Sequence, residues 1–457
     1  MSLKNTFVTA PTLLLLMAIG GIWIVSVDTA QAIPAFARKY DLTCTACHTA
    51  PPRLNTYGER FLENGYQLPG TSDGDSTKKK HLRDLSLDEV ANYTGVRLKG
   101  NVIRNYRFKQ QDPAGAEAGI VQNKTELGFP EVFSLFTAGT LTKDVGFFAE
   151  LESNIEEATT GIERGFLTFN NLGGENLANV RVGRFDPSAA FSFSTLRQQL
   201  DIIGESTHPN THTIQRAGLA PLAVAAKFYG LRDRSGAVIS PYAPTLYNSA
   251  AETGVEVRGR PFGDWFMYQA GVLNGANERF GDSNKGKDYY GAIRLDYAHS
   301  ANFSGSLSGF VYIGNANAAV AFGSGTADVS WNRYGIASHV RYKMVDLYGM
   351  FTIDRISHLP AAVRTSFDST ASGLSIAADT YVTEQTVVSL RYDNMDAGGE
   401  LAQRMSQTFL GGQIKHYLRS NVALYIRNDV NLRAAGDGSA AARNLRNASF
   451  AGVDVAY

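Results

Sequence analysis

Cysteine is almost absent from this sequence, since its 457 residues contain only Cys44 and Cys47. Without further cysteines, the chain lacks the soft ligands that would complete a zinc site around these two. Net charge is absent as well, because 43 lysines and arginines balance 43 aspartates and glutamates. Nucleic acid as a partner would require a basic excess, so it is not expected. After residue 32 no apolar run reaches the roughly 20 residues of a transmembrane helix, so any membrane insertion must use strands.

The N-terminus has the layout of a secretory signal. A lysine precedes an apolar run over residues 13–27, and the run leads to Ala30-Gln31-Ala32, with small residues where signal peptidase cleaves. The alternative is a membrane anchor, but a run of about 15 residues is short for a span. We therefore expect residues 1–32 to be a cleaved signal peptide and the protein to be exported.

The two cysteines form the motif Cys44-x-x-Cys47-His48. This is the attachment pattern of a c-type haem, in which two thiols bind the porphyrin and the histidine binds its iron. An exported pair of cysteines often forms a disulfide, and a redox Cys-x-x-Cys is another alternative, although its usual βαβ context is missing. The sequence thus predicts one covalently attached haem c, held by Cys44 and Cys47, with His48 as axial ligand.

The sixth ligand of the iron is open at this level. No methionine occurs between Ala32 and Met267, so a thioether could come only from the later part of the chain. His81 is the first histidine after the motif, and its alternative is a solvated residue beside three lysines. His208 and His212 are further candidates, and a vacant position also remains open.

Residues 33–70 are expected to form the small helical haem segment. A helix is predicted to begin at Pro51 and Pro52, whose missing N–H groups do no harm in a first turn, and to end at Asn64-Gly65. Its apolar stripe would consist of Leu54, Tyr57 and Phe61. Residues 71–91 are expected to be a charged linker with a short helix.

From residue 92 to residue 457 the hydrophobic period is two. Segments 291–297 and 388–393 alternate apolar residues with Arg and Asp, and tyrosine often lies near the end of the apolar face. Charged residues inside, apolar residues outside and aromatic residues at the borders are typical of outer-membrane barrels. We predict an all-β transmembrane barrel of about 16 antiparallel strands in the outer membrane of a Gram-negative bacterium, with the helical cytochrome c segment at its N-terminus.

The connections agree with a barrel. Tight links such as 382–385 and 418–421 alternate with longer loops at 275–287, 315–328 and 433–445. The chain also ends on an alternating segment with an aromatic last residue, as bacterial outer-membrane barrels commonly do. Residues 186–220 are too long for an ordinary hairpin loop and are predicted to fold inward or to cap an opening.

Charged residues of the strands are predicted to face the pore, where most would pair with one another. A cluster in the long insert, whose oxygens suit a hard cation such as ferrous iron, is a weaker candidate. The predicted pore residues are Arg181, Arg184, Arg294, Arg391, Arg427, Glu150, Glu152, Asp296 and Asp393. The cluster consists of Asp201, Glu205, His208 and His212.

The haem segment resembles the fused cytochrome–porin family of bacterial outer membranes, whose best-known members are iron(II) oxidases. The matching elements are Pro34-Ala35-Phe36-Ala37-Arg38, the Cys44/Cys47/His48 motif, Pro52-x-Leu54-Asn55 with Gly58, and Phe61-x-x-Asn64-Gly65-Tyr66. About 34 residues match strongly, whereas the barrel matches only in architecture, length and ending.

The resemblance implies a single haem in or at the mouth of the porin. It also implies that electrons pass from extracellular Fe(II) to a periplasmic cytochrome or copper protein, an iron(II):cytochrome c oxidoreductase activity. Two alternatives stay open: a substrate-specific diffusion porin with a haem-bearing plug, and a conduit that delivers electrons to an external acceptor. Many porins are trimers, so a homotrimer in the membrane lipid is a further possibility.

Overall fold

A computed structural model describes most of the chain after residue 33. Its described residues are 34–51, 53–68, 79–82, 85–111, 117–142, 144–155, 158–174, 176–187, 190–192, 195, 251–274, 286–300, 302–319, 326–357, 370–397, 407–419, 421–433 and 443–456. The predicted signal peptide, most of the 186–220 insert and the larger part of the predicted loops 275–287 and 433–445 lie outside these residues.

Short elements precede the barrel. They are helices α1 (Pro34–Tyr40), α2 (Cys44–Cys47) and α3 (Thr56–Glu63), the strand pair β1 (His48–Ala50) and β2 (Arg53–Leu54), the pair β3 (Lys79–Leu82) and β4 (Leu85–Leu87), and a 3-10 turn at Val90–Asn92. The linker therefore contains a strand pair and a 3-10 turn where a short helix was expected. Among the helices described, none is long and apolar enough to cross a membrane.

Helix α3 begins later than the prolines indicated. Arg53 and Leu54 pair with β1 as a strand, and Asn55 caps the helix by accepting a hydrogen bond from the Gly58 N–H at 2.9 Å. An asparagine at this position satisfies an N–H that the first turn leaves without a partner. The predicted start was wrong, and Tyr57 is 39% exposed, so it does not share the buried stripe with Phe61.

The remaining strands form one closed antiparallel barrel, in which the last strand pairs with the first. They are β5 (Thr94–Gln111), β6 (Glu117–Leu127), β7 (Val132–Thr142), β8 (Val145–Asn154), β9 (Thr159–Leu172), β10 (Ala178–Phe185), β11 (Glu252–Gly259), β12 (Phe266–Leu273), β13 (Asp288–Ser300), β14 (Phe303–Ala319), β15 (Thr326–Tyr342), β16 (Val345–Ser357), β17 (Thr370–Thr383), β18 (Thr386–Ala397), β19 (Gln407–Arg419), β20 (Val422–Arg433) and β21 (Arg443–Ala456).

These strand segments make sixteen crossings, because β6 and β7 are two halves of one interrupted strand. Residues 103–111 of β5 pair with β6, and residues 94–99 of β5 pair with β7. Both pairings are antiparallel. The interruption at residues 128–131 contains Pro130, which has no N–H to give to the sheet. The predicted barrel of 16 antiparallel strands is thus confirmed.

Side chains alternate between the two faces of the wall as the period of two predicted. On β13 the side chains of Ile293 and Tyr297 are 54% and 56% exposed on the outer face, whereas Arg294 and Asp296 are buried on the inner face. The outer face therefore meets lipid, and charged groups line the interior.

Short turns close one end of the barrel and longer connections the other. The turns at 343–344 and 384–385 belong to the first end, which is the periplasmic end in barrels of this kind. Exposed aromatic side chains gather there, including Phe262, Trp265 and Tyr342. At the other end, residues 315–319 and 326–328 extend β14 and β15 and are not loop, because the hairpin pairs as far as Ala319 and Thr326.

The N-terminal segment and the candidate haem site

The N-terminal segment lies inside the barrel at the end with the short turns. Its contacts reach strands on several sides of the lumen, and their partners lie near the short-turn ends of those strands. The hydrogen bonds include Tyr417 Oη to the Pro51 carbonyl at 3.5 Å, Thr56 Oγ1 to Ser304 Oγ at 3.4 Å, and Asn179 Nδ2 to the Glu63 carbonyl at 3.1 Å. The segment is therefore a plug across the periplasmic mouth.

Aromatic rings form the core of this plug. Phe36 of α1 packs edge-on against Phe61 of α3, with 4.9 Å between ring centroids, and stacks on Tyr66 at 5.6 Å. Tyr66 in turn stacks on Phe148 of β8 at 5.8 Å, so the core continues into the barrel wall. Gly65 turns the chain at a φ of 67° directly against Asn170, where an added Cβ would lie 2.1 Å from the amide nitrogen.

His48 is buried and its ring is oriented by the backbone. Its Nδ1 lies 3.2 Å from the carbonyl oxygen of Arg53, and the side chain is 8% exposed. A carbonyl only accepts, so Nδ1 carries the proton and Nε2 carries the lone pair in the neutral ring. This is the tautomer of a metal-binding histidine whose other nitrogen is held by a backbone carbonyl.

The cysteines lie one helical turn apart on α2. Cys47 forms no disulfide, and burial raises the pKa of its thiol to about 11. The turn is fastened to α3, since Asn55 donates its backbone N–H to the Cys47 carbonyl at 2.9 Å and its side-chain amide to Ala46 at 2.9 Å. The half-buried Cys47 thiol and the buried His48, consecutive residues of the motif, are donor types that fit a c-type haem.

Gly58 explains how closely α3 approaches the motif. A Cβ at this position would lie 2.1 Å from the carbonyl oxygen of Cys47. No side chain fits there unless the helix moves, because the obstructing atom belongs to the backbone. Asn55 and Gly58, two residues that carry the family resemblance, thus set the geometry of the motif.

Ion pairs attach the plug to the wall. Glu63 of α3 lies 2.8 Å from Arg260 and 2.6 Å from Arg294, and both arginines also contact Asp296. Burial alone would raise the pKa of Glu63, but Arg294 and Arg260 outweigh it and hold the pKa at about 2. We call Glu63, Arg260, Arg294 and Asp296 the charge clamp.

A second attachment joins β2 to another part of the wall, several strands from the charge clamp. Arg53 forms an ion pair with Asp379 of β17, and its guanidinium lies 3.7 Å from the ring centroid of Tyr348. Arg53 is 1% exposed and Asp379 is 3% exposed. The same residue therefore orients His48 through its carbonyl and anchors the plug through its side chain.

Glu59, one turn before Glu63, has a different environment. Its carboxylate accepts hydrogen bonds from Ser192 at 2.7 Å and from Thr195. Burial is the main cause that raises its pKa to about 7, and the nearby charge of Glu63 adds to it. Two carboxylates on one helix thus have very different affinities for a proton.

The predicted pore residues lie where the alternation placed them, with one exception. Arg184 pairs across the sheet with Gly165 and Thr253, which belong to the outward row. Gly183 before it has a φ of 135°, and Arg184 follows the inward Arg181 by three positions; its side chain is buried, with Nε donating to the Glu163 carbonyl. The buried inward residues are Arg181, Arg294, Arg391, Arg427, Glu150, Asp296 and Asp393, and Glu152 is half-buried.

Only some of the candidate iron ligands lie within the described residues. His81 lies in β3, whereas His208 and His212, with Asp201 and Glu205, are outside the described residues. Met267 is 4% exposed, beside Glu63 and Arg260 in a small cleft. Within the described ranges no group of three His, Cys, Asp or Glu side chains is arranged to hold a metal ion.

Arg53, Glu59 and Glu63 were not singled out from the sequence. Their charges resemble those of any solvated helix face, and their partners lie more than a hundred residues away along the chain. The only indication of their role in the sequence is that several charged residues closely follow the Cys44–His48 motif.

The barrel has counterparts among solved structures, although no protein family and no curated protein matches the chain. OmpF of Salmonella typhi, solved in complex with daunomycin, shares 10% identity at a TM-score of 0.50, over 82% of this chain and 98% of that one. The fold is that of an outer-membrane porin. Two further solved structures match over a similar share of the chain. The anion-selective porin from Comamonas acidovorans has 14% identity and a TM-score of 0.48, over 80% of this chain and 99% of that one. OprB of Pseudomonas putida has 7% identity and a TM-score of 0.49, over 80% of this chain and 94% of that one. At such identities the likeness concerns the fold alone.

Proposed function

We propose that this outer-membrane barrel is an electron-transfer cytochrome–porin that oxidises extracellular Fe(II) and delivers the electrons to a periplasmic carrier. The observation that supports it most is the placement of the Cys-x-x-Cys-His turn inside the periplasmic mouth, with His48 buried and its Nδ1 proton held by Arg53. Such a position gives a redox centre access to a periplasmic partner, while the barrel wall supplies the satisfied backbone that a bilayer requires.

The residues that would hold a haem c are Cys44 and Cys47, through thioether bonds, and His48, through its Nε2. The bound haem supplies one-electron redox chemistry. Each Fe(II) substrate would lose one electron and become Fe(III) outside the cell, and a periplasmic cytochrome or copper protein would be reduced by one electron. Export of the solid ferric product is then unnecessary, because only the electron crosses the membrane.

The chain's own residues orient and shield this site. Arg53 orients the ring of His48, Asn55 fastens the cysteine turn to α3, and the rings of Phe36, Phe61 and Tyr66 form the apolar core of the plug to which α3 belongs. Exclusion of water around a redox centre stabilises one oxidation state over the other and so adjusts its potential.

Anaerobic spectroscopy of the purified protein tests the proposal. We expect excess Fe(II) to convert the visible spectrum to that of the reduced haem, as dithionite does, and oxidised periplasmic cytochrome c to reverse it. A double variant, Cys44→Ser with Cys47→Ser, is the control and has no covalent chromophore. A haem that dithionite reduces but excess Fe(II) leaves oxidised would contradict iron oxidation.

A diffusion porin with a haem-bearing plug is the second candidate, favoured by the charged lumen and the porin fold. Swelling of liposomes that contain the protein, with a small sugar as the solute, separates the two. Rapid swelling favours the porin, and its absence favours the electron-transfer protein. An outward conduit would instead be indicated if the reduced protein transfers electrons to an extracellular ferric chelate faster than it accepts them from Fe(II).

A further inference from the structure

Two carboxylates lie side by side on the inner wall, close to the short-turn end of the barrel. Asp346 of β16 and Asp379 of β17 are directly opposite each other in register, and the two residues are 2% and 3% exposed. Like charges in this arrangement repel each other, and a buried charge requires a partner. The wall itself provides one for Asp346, because His339 of β15 donates its Nε2 proton to that carboxylate at 2.8 Å.

The plug provides the partner of the second carboxylate. In the part of the chain that the structure describes, Arg53 of β2 is the cation that pairs with Asp379. The guanidinium of Arg53 also lies 3.7 Å from the centroid of the Tyr348 ring, on which the His339 ring stacks at 4.4 Å. Ala377 is opposite Tyr348 in register, and its small side chain leaves room for the arginine. The wall therefore fits one arginine side chain of the plug.

The backbone of the same arginine holds the candidate iron ligand. His48 donates its Nδ1 proton to the Arg53 carbonyl at 3.2 Å, and β1 and β2 pair on either side of this contact. A hydrogen bond to this nitrogen makes an imidazole a stronger donor, and such bonds adjust the potential of a haem. An arginine fixed at its side chain has little freedom at its carbonyl. The position of Asp379 is therefore transmitted to the His48 ring.

We propose that Asp379 is a positioning residue of the redox site: it holds Arg53 so that the Arg53 carbonyl keeps the His48 ring oriented and electron-rich. The barrel wall thereby sets part of the midpoint potential of the haem, and the plug reaches that potential only when it is docked in the barrel. The proposal rests on the haem of the proposed function, but it is independent of Fe(II) as the substrate.

Spectroelectrochemical titration of the full chain, with dithionite as the reductant and no Fe(II), tests the proposal. We expect Asp379→Asn to raise the midpoint potential, because a weaker hydrogen bond makes His48 a poorer donor and the uncompensated charge of Arg53 favours the reduced haem. Asp379→Glu keeps the charge and should return the potential toward that of the natural chain. The matched control is Asp429→Asn, which removes the partner of Arg427 three strands away and should leave the potential unchanged.

A double variant separates position from charge. Arg53→Met with Asp379→Leu removes both charges and replaces the pair by apolar side chains, which a buried site tolerates better than one unpaired charge. The potential should stay raised, because the carbonyl has lost its anchor; a return to the natural value would overturn the proposal. An unchanged potential in a folded Asp379→Asn variant would overturn it as well. If heat-dependent mobility in SDS electrophoresis shows that Asp379→Asn does not fold, the double variant decides.

A measurement without haem checks the same geometry. In a Cys44→Ser chain produced without haem attachment, Asp379→Asn should make the Cys47 thiol react faster with a maleimide, because a loosened β2 no longer holds the motif turn. Equal rates in folded barrels would overturn the proposal. A natural chain without covalent haem would contradict the proposed function, and the Cys47 rates would then decide the role of Asp379. A haem that Fe(II) does not reduce would contradict iron oxidation alone, and the potentials of the variants would still decide.

Discussion

The plug and the barrel wall both bury charged side chains, but they pair them in opposite ways. In the wall, partners lie two residues apart on one strand or on nearby strands, as in Arg391 with Asp393 and Arg427 with Asp429. In the plug, Glu63 reaches Arg260 and Arg294, some 200 residues away along the chain. Pairs within the wall balance the lumen locally, whereas the charge clamp determines where a separate segment is held.

This difference indicates which charges matter for function. A buried ion pair contributes little net stability compared with an apolar pair, but removal of one partner leaves an uncompensated charge and is expensive. In the charge clamp this cost opposes any displacement of α3 from the wall. Helix α3 is in turn fastened to the Cys44–Cys47 turn through Asn55 and Gly58. The comparison can therefore be tested by breaking one set of charges and preserving the other.

The largest effect is expected from Glu63→Ala. It leaves Arg260 and Arg294 without their plug partner and should weaken the docking of the plug by about 3–5 kcal/mol. Planar-bilayer recordings should then show open-channel currents that the natural chain lacks. The control is Arg391→Met combined with Asp393→Leu, which removes both partners of a wall pair and should leave the channel closed. Equal currents in the two variants would contradict a special role for the clamp.

The next effect concerns pH and Glu59. Its pKa of about 7 in the fold lies above the ordinary value of 4.5, so the protonated form is favoured by folding. The stability from this group is fully present below pH 4.5 and is lost as the pH rises through 7. The difference amounts to at most about 3 kcal/mol.

Glu59→Gln keeps a neutral side chain at every pH. Its melting temperature should therefore change less between about pH 5 and about pH 8 than that of the natural chain, as measured by the thermal unfolding of both at a series of pH values. Parallel curves for the two proteins would show that Glu59 does not titrate in the fold.

A smaller effect is expected from Gly58→Ala. The added Cβ meets the Cys47 carbonyl, so α3 must shift, at a cost of about 1–3 kcal/mol. The haem content per chain and the melting temperature should both fall. Gly349→Ala is the control, because a Cβ there has no atom within 4 Å among the described residues. If both variants retain the full haem content, α3 does not position the motif.

The barrel was predictable because its signal repeats along the chain. A period of two with charged inner residues, as in Arg294 and Asp296 between Ile293 and Tyr297, recurs in strand after strand and implies closure. The motif of Cys44, Cys47 and His48 was readable because its spacing is specific. The start of α3 follows the capping side chain of Asn55, whereas the prolines before it predict an earlier start.

The position of the plug was not predictable in the same way. It depends on contacts such as Arg53 with Asp379 and Tyr66 with Phe148, which join residues that no local pattern connects. A charged residue next to a motif has the same appearance in sequence whether it meets water or a buried arginine. Arg184 shows the limit of the alternation itself, because the irregular backbone at Gly183 lies between it and Arg181.

The most direct test of the account is the haem content of the barrel itself. Protein extracted from outer membranes in detergent should give a pyridine haemochrome spectrum of haem c, with one haem per chain that resists removal by acidified acetone. The Cys44→Ser, Cys47→Ser variant should insert into the same membrane without it. A natural chain that folds in the outer membrane and contains no covalently bound haem would contradict the account.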